Sequence, residues 1–163
     1  MISGNLEELN LSENDAGFEP KILAFTCNWC AYAAADLAGA SRIQYPASLR
    51  IIRVMCSGMV HPGLVIEAFE DGADGVLLMG CRPGECHYQD GNEKAKARSA
   101  VIEEILLIMG LEPGRFMFVD CSSAEAERFA GIVREAEKTL TAMGPAERRK
   151  EASTSKSEPV QCL

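Results

Sequence analysis

The sequence has no apolar run near the roughly 20 residues needed to cross a bilayer, and "MISGNLEELNLSEND" lacks the positive start and apolar stretch of a signal peptide. A soluble, cytoplasmic chain with no membrane partner is expected. Basic excess is missing as well: the formal net charge is -8 at pH 7. That excludes sequence-independent nucleic-acid binding, which needs cations to displace counterions, and disfavours acidic substrates. No G-x-G-x-x-G follows the first apolar run and no G-x-x-x-x-G-K-[ST] occurs anywhere, so dinucleotides and nucleotide phosphates lack their usual cradle. A low-molecular-weight phosphatase needs an arginine about six residues after a strand-end cysteine. Pro62 and His87 occupy those positions.

Cysteine, by contrast, is plentiful. Seven occur in 163 residues, at 27, 30, 56, 81, 86, 121 and 162. In a reducing compartment such thiols serve as metal ligands, redox groups or small buried hydrophobes more often than as structural disulfides.

The length suits one well-buried domain. Residues 1–20 carry five carboxylates and neither Lys nor Arg, and read as an acidic arm. Residues 145–163 read as a polar tail without a packing face, which removes Cys162 from consideration. Disordered or extended termini thus flank a domain over 21–144.

Inside that domain four apolar runs, "KILAFTC", "LRIIRVMC", "DGVLLMGC" and "RFMFVDC", alternate with helix-like stretches over 30–42, 62–70, 92–109 and 122–143. Pro62 suits a first helical position, Val101, Ile105 and Ile108 fall on one face of the third stretch, and "SSAEAE" offers the fourth an N-cap serine. The alternation predicts an α/β domain, a four-stranded parallel sheet flanked by helices in a flavodoxin-like or Rossmann-like arrangement.

Each predicted strand ends in a cysteine: Cys27, Cys56, Cys81 and Cys121. Parallel strands align those ends on one edge, where open α/β folds build their sites. With strand order 2-1-3-4, Cys56, Cys27 and Cys81 become neighbours at about 5 Å per strand. Cys30 and Cys86 lie in the following loops and can fold back to the same point, while Cys121 stands one strand further out. A single buried cysteine is ordinary packing. Five arranged as C-x2-C, a lone Cys and C-x4-C argue for a shared ligand.

Three chemistries suit them. Cys27 and Cys30, at a strand-to-helix junction, have the geometry of a thiol-disulfide oxidoreductase, a reading that leaves three thiols unused. A structural zinc takes four thiolates and would make the chain an adaptor. An iron-sulfur cluster also takes four and accepts ligands from separated loops; this reading is preferred, with 2Fe-2S ahead of 4Fe-4S. Gly58, Gly80 and Gly84 would let backbone approach the sulfurs. His61 and His87 are candidate ligands or donors that equally suit the surface. Arg53 and Arg82 would either offset cluster charge or pair with carboxylates, and Trp29 would shield the cluster or dock a partner.

The segments "CNWCAYAAADLAGASRIQYP", "RIIRVMCSGMVHP", "EDGADGVLLMGCRPGECHYQDGNEKA" and "GLEPGRFMFVDCSSAEAERFA" resemble, over about residues 21–144, the delta subunit of methyl-viologen-reducing hydrogenase. The resemblance implies a non-catalytic electron-transfer subunit with a 2Fe-2S cluster. In that family it relays electrons from a hydrogenase or formate dehydrogenase to the flavin subunit of heterodisulfide reductase, where they are bifurcated. The family pattern maps onto Cys27, Cys30, Cys56, Cys81 and Cys86, one more than a 2Fe-2S cluster needs. Where the family carries an aromatic and aliphatic run before the last helix, this chain has "VDCSSAE", which marks Cys121 as a non-ligating thiol.

Overall fold

Period-two alternation divides each strand's side chains between two cores, and this division organises the domain. In the computed structural model, which describes residues 17–147, β1 (Ile22–Cys27), β2 (Leu49–Val54), β3 (Gly75–Gly80) and β4 (Phe116–Asp120) form one parallel sheet in the order β2-β1-β3-β4. Helices α1 (Ala31–Ala40), α2 (Pro62–Glu70), α3 (Gly91–Ile108) and α4 (Ala126–Met143) follow the strands in turn. The expected α/β class, strand order and single sheet are all present. The arms expected at 1–20 and 145–163 fall almost wholly outside the described residues.

Ile22, Ala24, Leu49, Leu77 and Met79 pack against α1 and α4, while Phe25, Val76, Leu78 and Phe116 pack against α2 and α3. Every residue of β3 is buried, as a central parallel strand requires. β2 lies at the edge and exposes Arg50 and Arg53, charges that discourage pairing with another sheet. Helix α1 buries Ala31, Ala34, Ala35 and Ala38, a stripe at helical spacing.

Three expectations need correction. On α3 the core face is Ala95, Ser99, Ile102 and Leu106, whereas Val101 and Ile108 are exposed. The carboxyl-terminal half of that helix is apolar on most sides, so periodicity alone could not choose the inward face. Helix α4 begins at Ala126 with Glu125 as N-cap. The Ser122 N–H donates to the Glu125 carboxylate at 2.8 Å, so the serines form a turn before the helix and do not cap it. Finally, only β1 ends on its cysteine; Cys56, Cys81 and Cys121 lie one or two residues past their strands.

The sheet's two edges differ in chemistry. At the amino edge the buried Arg115 pairs with Glu112 and donates to the carbonyls of Asp74, Gly144 and Pro145, which fixes the end of α4. At the carboxyl edge the cysteines gather.

Candidate metal centre

Three loops at the carboxyl edge carry the site. Cys27 ends β1 and Cys30 lies in the loop that follows it, the β2–α2 loop holds Cys56, and the β3–α3 loop holds Cys81 and Cys86. Because β2, β1 and β3 are adjacent, these loops are adjacent too.

The Sγ atoms of Cys27, Cys30 and Cys81 all lie within 4.8 Å of one another, and all three residues are buried. Cys27 Sγ is 3.8 Å from Cys81 Sγ. Two thiolates on one tetrahedral ion with metal–sulfur bonds of about 2.3 Å would stand about 3.8 Å apart. Cys30 and Cys81 are joined as a disulfide, their Cα atoms 5.5 Å apart, and the pairing runs between loops, not within C-x2-C. Cys86 packs against this trio.

Cys56 completes the group from the other side. It is hydrogen-bonded to Cys86, feels the charges of Cys86 and Cys27, and accepts the backbone N–H of Gly58. Burial, first of all, raises its pKa above the usual thiol value; the Gly58 N–H opposes this, and the neighbouring thiols add to it. Of the five expected residues, Cys27, Cys30 and Cys81 form a close all-sulfur group of the soft kind that iron-sulfur or zinc chemistry uses, Cys86 packs against it, and Cys56 is joined to it through Cys86.

Glycines make the convergence possible. A Cβ on Gly91 would collide with Cys56 Sγ and sit 3.3 Å from Cys86 Sγ. On Gly58 it would meet the Gly91 carbonyl at 2.7 Å, and on Gly80 the Ser57 hydroxyl at 2.8 Å. Gly84 meets nothing within 4 Å; its φ of +79° serves the turn, so its expected role in backbone approach is replaced by that of Gly91. Gly91 is not evident from sequence, since nothing local marks the first residue of a helix as the floor of a site 35 residues upstream.

Two helices begin against the sulfurs. Cys30 is the N-cap of α1 and makes no side-chain cap hydrogen bond, and α3 opens at Gly91. Their amino-terminal dipoles favour thiolate charge. Of the two roles open to the nearby cations, Arg82 takes carboxylate pairing, with Glu125, whereas Arg53 donates to Asn28 Oδ1 at 2.6 Å and lies over the Tyr32 ring. His61 accepts the Gly63 N–H at 3.0 Å and so caps α2, while His87 stacks on Trp29. The Ser57 hydroxyl and Asn92 Oδ1 are buried without a protein partner; Ser57 adjoins Cys56, and Asn92 adjoins Gly91.

Cys121 stands apart. It is fully buried in the α1/α4 core, its thiol directed to the carbonyls of Ser122 and Glu125, and burial followed by the Glu125 charge pushes its pKa up to about 11. Cys162 lies outside the described residues. No helix among the described residues is long and apolar enough to cross a membrane.

Comparison with known proteins identifies the family. The family model described as "Methyl-viologen-reducing hydrogenase, delta subunit" matches residues 22–144. The vhc iron-sulfur subunit of the F420-non-reducing hydrogenase of Methanococcus voltae is 47% identical over 128 residues, covering 78% of this chain and 89% of that protein. The iron-sulfur subunit of the F420-non-reducing hydrogenase of Archaeoglobus profundus is 42% identical over 78% of this chain and 93% of its own. A subunit of the ferredoxin/F(420)H(2)-dependent CoB-CoM heterodisulfide reductase of Methanosarcina acetivorans is 51% identical over 77% of this chain, which spans 16% of that longer protein.

Proposed function

The chain belongs to the methyl-viologen-reducing hydrogenase delta-subunit family, and from that membership we propose that it is an electron-transfer subunit holding a 2Fe-2S cluster among Cys27, Cys30, Cys56, Cys81 and Cys86. The observation that supports this reading is the gathering of Cys27, Cys30 and Cys81 within 4.8 Å, with Cys86 packed against them and Cys56 hydrogen-bonded to Cys86. When bound, such a cluster supplies a one-electron carrier whose potential responds to hydrogen bonds at sulfur and to burial.

The chain's own residues serve that carrier in distinct ways. Cys27, Cys30 and Cys81 offer three ligands, and the Cys56–Cys86 pair offers the fourth. The Gly58 N–H donates to sulfur, and the starts of α1 and α3 offset thiolate charge without bringing a side-chain cation into the site. Cys27, Cys30, Cys56 and Cys81 are buried and Cys86 partly so, while Trp29, Met55, Met59 and Tyr88 of the same three loops are exposed. Electrons need cross only this thin layer to a docked protein. The donor in this reading is a hydrogenase or formate dehydrogenase module and the acceptor the flavin subunit of a heterodisulfide reductase, in the cytoplasm; the relatives' names, which include a hydrogenase and a heterodisulfide reductase, support it.

Replacing each of the five cysteines by serine in turn, with visible and electron paramagnetic resonance spectra of the reduced protein, tests the assignment. Four replacements abolish or alter the signal of the cluster and one leaves it. If all five variants keep the parent spectrum, the reading is wrong.

A further inference from the structure

Residues 81–90 pass from β3 to α3 without pairing to any strand. They turn twice: the Glu85 N–H donates to the Arg82 carbonyl at 3.0 Å, with Gly84 at φ +79°, and the Gln89 N–H donates to the Cys86 carbonyl at 3.0 Å, with Gln89 at φ +71°. The first turn is anchored, since Arg82 pairs with Glu125 and the Asn92 side-chain amide donates to the Arg82 carbonyl at 3.0 Å. The second turn carries Cys86 and is largely exposed.

Three rings join that second turn to the β1–α1 loop. Trp29 stacks on His87 with ring centroids 3.8 Å apart and planes 16° from parallel. Trp29 Nε1–H donates to the Tyr88 hydroxyl at 3.3 Å, and Tyr88 meets both rings edge-on, at 6.5 Å from Trp29 and 5.0 Å from His87. Trp29 lies between Cys27 and Cys30 in sequence, and His87 follows Cys86. The ring contacts therefore tie together two loops that each bring thiols to the site.

We propose that Trp29, His87 and Tyr88 form an aromatic clasp that positions Cys86 against the Cys27–Cys30–Cys81 trio. The three are positioning residues: His87 acts through its ring face, and Trp29 through stacking and one hydrogen bond. The purpose of the clasp rests on the metal-centre reading above, but its existence as a loop constraint can be measured without metal. Opening it leaves the second turn with its own backbone bonds and the sulfur contacts, so Cys86 samples solvent more often.

The test is the rate of iodoacetamide alkylation of Cys86 in the reduced, metal-free full chain, read by mass spectrometry, with Cys121 as internal reference. In Trp29→Ala the Cys86 rate rises roughly tenfold, the loss expected when a stacked ring pair is removed, while the Cys121 rate stays at its parent value. Trp29→Phe and His87→Phe, which keep a ring at each face, return the Cys86 rate toward the parent. In the iron-loaded chain, Trp29→Ala loses iron to a chelator faster than Trp29→Phe does. An unchanged Cys86 rate in Trp29→Ala overturns the clasp, as does an equal rise at Cys121, which would signal global loosening. A parent chain that takes up no iron overturns the metal-centre reading instead, and the alkylation rates still decide the clasp.

Discussion

Gly91, the first residue of α3, presents its bare Cα to the Sγ of Cys56, so that any side chain there would occupy the sulfur's place. An alanine in a helix ordinarily stabilises relative to glycine by about 0.5–1 kcal/mol. Here the sign reverses. Gly91→Ala forces Cys56 or α3 to move, at a cost of about 1–3 kcal/mol for overpacking, and lowers the bound iron. Urea unfolding and iron analysis of the variant check both parts; a stabilised variant with full iron would remove Gly91 from the site.

In the proposed centre Cys30 and Cys81 could ligate only as thiolates, so reduction must precede metal uptake. Metal-free protein treated with a small-molecule disulfide forms the Cys30–Cys81 bond by exchange, releasing two thiol equivalents, and takes up no iron until a dithiol reverses the exchange. Disulfide mapping by mass spectrometry, with iron uptake before and after reduction, reads this. Full uptake by the oxidised form would exclude both sulfurs as ligands and leave three thiols, too few for the proposed centre.

Most of the architecture is legible from the residues. Runs such as "GVLLMG" are apolar throughout because β3 is covered on both faces, and their spacing leaves room for one helix between strands. The gathering of Cys27 and Cys81 is legible because parallel strands must bring their ends to one edge. What escapes is set by contacts between distant segments. Trp29 and His87 stack across 58 positions, and Gly91 fits Cys56 across 35; no local pattern encodes either. The inward face of α3 escapes for a different reason, since "VIEEILLI" offers apolar residues to several directions and only packing chooses Ile102 and Leu106.

Cys121 should make stability fall in mild alkali. Its thiol keeps its proton in the folded chain up to about 11, against an ordinary 9.0, so its contribution is complete below about pH 9 and is lost as pH rises toward 11. Between pH 8 and 10.5 the parent loses about 2 kcal/mol more than Cys121→Ala does, from roughly 1.4 kcal/mol per pH unit. Urea unfolding at the two pH values gives the difference; equal losses would mean that burial does not govern this thiol.

Arg42 is a local weak point. Helices α1, α2 and α3 end alike, with paired hydrogen bonds from the two residues after the C-cap: Arg42 and Ile43, Gly72 and Ala73, Gly110 and Leu111. The first residue of each pair has positive φ, and α1 alone of the three places a non-glycine there, at φ +58°. Arg42→Gly relieves that conformation and stabilises by about 0.5–1 kcal/mol after the greater freedom of glycine in the unfolded chain is counted. Thermal unfolding should rise by about 2 °C for a chain of this size. A fall would show that the arginine side chain matters more than its backbone.

The central claim is that the convergent cysteines hold an iron-sulfur cluster, and chemical analysis of the anaerobically purified protein tests it most directly. Iron and acid-labile sulfide should be present in equal amounts, about two of each per chain, as a 2Fe-2S centre requires. Zinc alone, or a metal-free chain that retains a reducible disulfide after anaerobic isolation, would contradict it.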